Sequence, residues 1–352
     1  MPRLRRVDCS EPGLTRRRRG KGFEYLDSDG NRVGDVATRQ RIKDLGIPPA
    51  WKDVWICPLD NGHLQAVGTD AAGRKQYLYH EAWRTRRDQE KFDKMIEFAS
   101  ALPKIRHVTA QHLDQPDMTR ERVLACSVRL LDRGFFRVGG ESYAEDNDSY
   151  GLATMRKEHV RFEGSEVIFE YMSKSGKERI QSVVDPAVYE VVRALKRRRG
   201  GGDELLAFRV GTRWQDVKSS DINVYLKEVA GGDYSAKDFR TWHGTVLAAQ
   251  ALAVSFEAVA SKTARKKAVT RAIQEVSHYL GNTPAVCRKS YVDPRVIDRF
   301  ESRWTIGPVM NELADAPQDE PAWREAVENA VLDLIEEPRR SDLVEKVKKR
   351  AS

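Results

Sequence analysis

Apolar positions along this chain follow two different periods, and the change falls near residue 88. Ahead of it they alternate, or cluster in short runs broken by turn residues. FEYLDSDGNRV predicts a hairpin around Asp29-Gly30-Asn31, VWIC a short strand before Pro58, and HLQAVGTDAAGRKQYLYH two strands joined by a Gly-containing loop. The last of these strands sets Lys75, Tyr77 and Tyr79 on one face and Gln76, Leu78 and His80 on the other. Beyond the charged stretch RTRRDQEK, Phe92, Met95/Ile96, Ala99 and Leu102 recur at helical spacing. Thr119 can cap a further helix through Val123/Leu124, Ser127/Val128 and Leu131 that ends near Gly134. HVRFE, EVIFEYM and ERIQSVV return to alternation, with a hairpin tip at Ser173-Lys174-Ser175-Gly176. Helices follow: a short one over 220–229, then one opened by Ser235 and Asp238 in capping-box positions. This second helix carries Phe239, Trp242/His243, Val246 and Ala249/Gln250 on one face, with Arg240 off it.

These elements predict an α+β chain of two domains. Residues 1–87 form a small β-rich domain with an Arg-rich arm over 1–22 and a hinge near 84–90. Residues 88–352 form a larger, mostly helical domain with a small antiparallel sheet. In the tail, Trp323, Ala326/Val327, Ala330/Val331 and Leu334/Ile335 mark an amphipathic helix whose polar face is acidic.

The densest signal is SHYLGNTPAVCRKSY at 277–291. A periodic segment ends at Leu280, Gly281 stands where a left-handed C-terminal residue is wanted, and Thr283-Pro284 reads as the N-cap and first residue of a new helix. That helix carries Tyr291 about two turns along and leaves Asn282 in the tight connection. Burial in a helical hairpin is the commoner fate of an isolated tyrosine, so a chemical role for Tyr291 needs partners elsewhere.

Charge sharpens the picture only when divided along the chain. The net charge is +8, but residues 1–87 hold 18 Lys and Arg against 11 Asp and Glu, and residues 311–337 hold one against nine. A basic body with an acidic tail suggests a polyanionic partner. Cys9, Cys57, Cys126 and Cys287 lack CxxC spacing and read as reduced thiols. The chain has no run of ~18 uncharged apolar residues, and its N-terminus lacks the apolar segment of a secretory signal. A cytoplasmic protein without membrane association is expected. There is no GxxxxGK[ST] loop, no HExxH and no carboxylate cluster at ligand spacing, so neither ATP nor a metal has a visible seat and no cofactor is expected.

With those chemistries set aside, RGFFRVG, YGLATM, the MSKSGK hairpin, KDFRTWH and GNTPAVCRKSY stand in an order that resembles the type IB DNA topoisomerases of the compact bacterial and poxvirus kind. The N-terminal GTDAAGRKQYLYH pair resembles the same family, and the likeness covers nearly the whole chain. It implies a clamp around duplex DNA, a monomer acting on supercoiled DNA at the nucleoid, and transient cleavage through a 3′-phosphotyrosyl linkage. Carried over residue by residue, it implies Tyr291 as nucleophile with Arg137, Lys174 and Arg240 as catalytic cations. Asn282 falls where poxvirus and eukaryotic members have histidine. Arg74, Lys75, Gln76, Tyr77 and Tyr79 on the last N-terminal strand, Lys237 near Arg240, and Arg288 and Lys289 near Tyr291 are the candidate DNA contacts.

The chemistry is consistent with those roles. A free phenol has a reference pKa of about 10, so a nucleophilic tyrosine needs help losing its proton, and in-line attack on a phosphodiester adds negative charge to the non-bridging oxygens. Two guanidiniums and an amide donor can hold those oxygens, and a lysine on a hairpin tip can protonate the departing 5′ oxygen. A tyrosine recombinase shares this logic but carries a His-x-x-Arg motif, whereas Lys237 stands three before Arg240. A non-catalytic DNA clamp of the same fold is the remaining alternative.

Overall fold

Antiparallel pairing absorbs the short apolar runs at the start of the chain. In the computed structural model, which describes residues 3–141, 148–174, 176–255, 261–317 and 321–347, they build one five-stranded sheet. The strands are β1 (Leu14–Arg19), β2 (Gly22–Leu26), β3 (Lys52–Ile56), β4 (Leu64–Thr69) and β5 (Lys75–Tyr79), in the order β2-β1-β3-β4-β5. Helix α1 (Val36–Asp44), capped by the Asp35 carboxylate, contributes Ile42 to a core with Val54, Ile56 and Ala66, onto which Leu14, Trp51 and Leu78 pack.

The arginine run expected as part of an arm is therefore a strand from Leu14 onward. Pairing gives each arginine a separate environment. Arg16 donates to the carbonyls of Ile47 (3.2 Å), Pro48 (3.0 Å) and Trp51 (2.7 Å) and lies 4.2 Å over the Phe23 ring, while Arg17 and Arg19 reach Glu24 at 2.7 and 3.4 Å. The hairpin expected around Asp29-Gly30-Asn31 is a turn closed by a single bridge between Leu26 and Arg32. Beside backbone bonds from Asp27 to Asn31 and from Val33 to Tyr25, the Asp27 carboxylate accepts from the Asp29 and Asn31 N–H groups, a side-chain turn that periodicity does not reveal.

The chain divides into Met1–Asp93 and Lys94–Ser352. The division lies inside helix α2 (Glu81–Leu113), so residues 84–90 are helical, and the helix continues through Pro103. In the second unit, Thr119 caps α3 (Arg120–Gly134) by accepting from the Arg122 backbone N–H at 3.1 Å. Strands β6 (Val160–Glu163), β7 (Glu166–Ser173) and β8 (Lys177–Val184) form the antiparallel sheet that alternation predicts. After α4 (Pro186–Arg197), the β9–β10 hairpin (Ala207–Val210 and Arg213–Asp216) and α5 (Ser219–Ala230) come α6 (Ala236–Val254) and α7 (Lys262–Leu280). Then follow α8 (Pro284–Ser290), α9 (Pro294–Glu301), α10 (Gly307–Glu312) and the tail helix α11 (Pro321–Ile335).

The protein is thus α+β. Residues 142–147 and Ser175 in the hairpin tip lie outside the described residues. The tail helix buries Trp323, Val327, Val331 and Leu334. Its charges are not all solvated: Arg106 on α2 binds both Asp132 of α3 (3.0 Å) and Glu328 of α11 (2.7 Å), and Arg324 reaches Asp132 at 3.0 Å. Burial would by itself raise the pKa of Asp132. Arg324 and Arg106 outweigh it, so the carboxyl is held well below the usual carboxylate range.

Candidate active site

The turn between α7 and α8 is built as its sequence predicts. Gly281 adopts φ 60°, its N–H bonds to the His278 carbonyl at 3.1 Å, and the Asn282 N–H returns to Ser277 at 3.1 Å. Thr283 then caps α8 by accepting from Val286 N–H, with Pro284 first in the helix. Tyr291 sits one residue past the end of α8, its N–H bonded to the Cys287 carbonyl at 2.9 Å.

A helix that ends this way leaves carbonyls at its C-terminus without helical partners, and that end carries partial negative charge. Three arginines from separate elements take them up. Arg179 on β8 donates to the carbonyls of His278 (2.9 Å) and Tyr279 (2.6 Å), Arg240 on α6 to Leu280 (2.7 Å), and Arg137 to Gly281 (3.0 Å). Arg137 and Arg240 also share the Asn282 side chain, whose Oδ1 accepts from them at 3.0 and 2.6 Å. A guanidinium has only donors, so the amide oxygen must face the arginines. The NH2 group is then the part of Asn282 able to donate to a phosphate oxygen.

Arg240, read from the helical wheel as lying off the packed face, is only 4% exposed. Its second anchor is the Phe135 carbonyl at 2.8 Å, and its guanidinium carbon lies 5.1 Å from the Tyr291 ring. Burial lowers its pKa to about 10, helped by Arg137 and opposed by Tyr291, so it stays charged at neutral pH. Phe135 is held at φ 56°, a left-handed conformation that costs a non-glycine residue roughly 1–2 kcal/mol. Arg137 follows, fixed by backbone pairing of its segment: Leu152 N–H bonds to the Arg137 carbonyl and Ala153 N–H to that of Val138, both at 2.8 Å. The two chains approach so closely that a Cβ on Gly151 would stand 2.4 Å from Gly139 Cα. That contact explains Gly139 of RVGG and Gly151 of YGLAT.

Lys174 lies exposed at the tip of the β7–β8 hairpin. With Arg137, Lys237, Arg240 and Tyr291 it lines a cleft of about 370 Å³. The structure therefore brings together all five candidates for chemistry, with Lys237 beside them. Arg288 and Lys289 are exposed on α8. The remaining candidates sit on β5 in the first unit, where Lys75, Tyr77 and Tyr79 face solvent and the two tyrosine rings stack at 6.2 Å and 17°. Arg74 and Gln76 each bind Asp70 at 2.9 Å, and the Arg74 backbone and side chain lower that carboxyl to about 2.

Two positioning residues escaped the sequence reading. Gly244 on α6 packs against the backbone of Tyr291, where an added Cβ would meet the Tyr291 carbonyl oxygen at 2.6 Å. Next to it, Thr245 Oγ1 lies 3.4 Å from the same oxygen and accepts from the Asp293 N–H at 3.1 Å. An isolated glycine inside a helical pattern was the available signal, since it costs about 1 kcal/mol relative to alanine unless a close approach requires it.

Comparison with known proteins shows the family. Residues 80–310 match the family model of the eukaryotic DNA topoisomerase I catalytic core, and residues 22–70 match that of the bacterial DNA topoisomerase IB N-terminal domain. DNA topoisomerase 1B of Acanthamoeba polyphaga mimivirus is 29% identical over 298 residues, covering 82% of this chain and 88% of the viral one. DNA topoisomerase I of monkeypox virus is 20% identical over 239 residues (67% and 72%). DNA topoisomerase 1 of Mycosarcoma maydis is 24% identical over 231 residues, 61% of this chain and 21% of the fungal one. With the catalytic-core model spanning most of its length and a bacterial N-terminal module ahead of it, the chain belongs to the type IB DNA topoisomerases.

Proposed function

We propose that this topoisomerase relaxes supercoiled duplex DNA, as a monomer at the nucleoid, by cutting and resealing one strand through Tyr291. The observation that carries the reading is the shared Asn282 oxygen, which holds two guanidiniums together within reach of the tyrosine. The Tyr291 phenol gives its proton to water, its oxygen attacks phosphorus in line, a P–O bond to tyrosine forms, and the bond to the 5′ oxygen breaks. Arg137 and Arg240 turn their remaining donors to the non-bridging oxygens, where charge accumulates, and the Asn282 amide adds a third donor. Lys174 gives its proton to the departing 5′ oxygen as general acid. The product is a 3′-phosphotyrosyl ester, and the free 5′ end turns before its hydroxyl reverses the steps. One ester replaces another, so resealing draws on no nucleotide.

Lys75, Tyr77, Tyr79, Arg288, Lys289 and Lys237 are read as duplex contacts, with the first unit closing the grip on DNA. Phosphate contacts of this kind make binding fall steeply with salt. Relaxation of supercoiled plasmid in EDTA without ATP is the direct assay, with a covalent protein–DNA adduct trapped on denaturation. Tyr291→Phe should abolish both, and a Tyr291→Phe protein that relaxed DNA like the parent would sink the assignment.

A further inference from the structure

Arg179 and Gln181 stand two residues apart on β8 and so share one face of the strand. Arg179 donates to the carbonyls of His278 (2.9 Å) and Tyr279 (2.6 Å), and Gln181 donates to that of Gly134. Tyr279 immediately precedes Leu280, and Gly134 immediately precedes Phe135. Those two following residues supply the carbonyls that anchor Arg240. β8 therefore grips the chain one residue ahead of each anchor of the buried arginine.

The same strand leads to Lys174. Tyr171 pairs with Arg179, and two further pairs, Met172–Glu178 and Ser173–Lys177, lead from there to the tip. That is about 7 Å of strand. Within the tip, Ser173 Oγ donates to the Lys177 carbonyl at 2.9 Å. On the β7 side, the Met172 carbonyl accepts from Tyr150 N–H at 2.8 Å, next to the backbone pairing that fixes Arg137. On the β8 side, Arg179 reaches the turn that carries Asn282. Its guanidinium lies close over that turn, since a Cβ on Gly281 would stand 3.3 Å from Arg179 Cζ. A planar fork of donors suits two successive carbonyls in a way that an ammonium does not.

We propose that Arg179 is a positioning residue for the reaction, clamping β8 to the end of α7 and so setting where Lys174 stands relative to Asn282 and Arg240. The inference rests on the proposed function of Lys174. Without Arg179 the turn keeps the left-handed Gly281 and the bonds from Arg137 and Arg240. The hairpin, by contrast, loses its tie from β8. The effect therefore falls on proton transfer to the departing 5′ oxygen and not on the groups that hold the phosphate.

The test is single-turnover cleavage by the full chain, on an ordinary duplex and on one with sulfur in place of the 5′ bridging oxygen. Sulfur departs without a proton. Arg179→Ala should cleave the ordinary strand about 10- to 100-fold more slowly than the parent, the cost of a misplacement of about 1 Å. It should cleave the sulfur strand within about threefold of the parent, and in a Lys174→Ala background it should add less than about threefold to the loss. DNA affinity and its salt dependence should be unchanged. A merely structural role would slow both substrates alike and multiply the loss from Lys174→Ala, and a phosphate contact would lower the salt slope by about one. Either result overturns the proposal. If Arg179→Ala does not fold, Arg179→Gln, which keeps an amide donor, carries the same comparison. Lys174→Ala alone keeps the two readings apart. An equal loss on both strands for that variant fails the general-acid assignment, while the double variant still decides whether Arg179 acts through Lys174.

Discussion

Replacing Gly244 with alanine should separate the stability of the protein from its chemistry. The added Cβ would stand 2.6 Å from the Tyr291 carbonyl oxygen and 3.2 Å from Leu280 Cδ1. Restoring ordinary contact to that oxygen, at 3.4 Å, requires about 0.8 Å of separation between α6 and Tyr291, the proposed nucleophile. Alanine in mid-helix contributes about 1 kcal/mol over glycine, whereas overpacking a filled site costs about 1–3 kcal/mol. The net loss of stability is therefore at most about 2 kcal/mol, and the protein stays folded. Catalysis is less forgiving, because a misplacement of about 1 Å can cost on the order of 10²-fold in rate. Single-turnover cleavage of a nicked duplex should fall about 10- to 100-fold with DNA affinity unchanged, while urea unfolding gives the stability in parallel. Cleavage at the parental rate would refute the view that this glycine sets the position of Tyr291.

Other substitutions probe the charges. Asn282→Ala should slow cleavage about 10²–10³-fold, the loss of about 2.7–4 kcal/mol that goes with removing a single transition-state donor, and Asn282→His should retain activity. Asn282→Asp keeps the oxygen that holds both arginines but loses the donor and sets a negative charge against the phosphate, so it should cleave more slowly than Asn282→Ala in the same assay. Lys174→Ala should cost about 10²–10⁴-fold on an ordinary strand and much less on one with a 5′-bridging sulfur, whose departure needs no proton. Equal losses on both substrates would remove Lys174 as the general acid. Asp132→Asn should destabilise the fold by about 3–5 kcal/mol by leaving buried arginines unmatched, as read by urea midpoint. The folded pKa of Asp132 is depressed. Its contribution is therefore complete above the unfolded value of about 3.9 and is lost as pH falls towards the folded one, and the parent-to-variant difference should shrink on acidification.

What was legible in the chain was what local rules encode. Gly281, Thr283 and Pro284 announce a helix end and a helix start through backbone preferences that act within a few residues, and the alternation of 159–184 announces a hairpin with Lys174 at its tip. The catalytic set followed from the order of its motifs, not from their contacts. Three things stayed hidden because they depend on residues far apart in sequence. Gly244 matters only because Tyr291 crosses it, 47 positions later. Gly139 and Gly151 matter because they face each other. Arg240 looks like a polar residue off the packed side of its helix until the carbonyls of Phe135 and Leu280 are found beside it. The arginines of β1 show the same effect in reverse, since a run that looks solvated becomes a strand once its neighbours accept their hydrogen bonds.

The capping of α7 by Arg137, Arg179 and Arg240 bears on how the proposed site would meet its substrate. In many sites a cation waits in a salt bridge and must give up a carboxylate before it can take a phosphate. Here the contacts to Arg137 and Arg240 are peptide carbonyls and one amide oxygen, and no carboxylate among the described residues pairs with either. Dipoles hold the guanidiniums in place but leave their full charge uncompensated. On the proposed function, an arriving phosphodiester would displace no ionic partner, and a departing one would leave none to be re-formed. The energetic step between empty and occupied states is correspondingly shallow, which suits a catalyst that must release the same backbone it has just cut and rejoined.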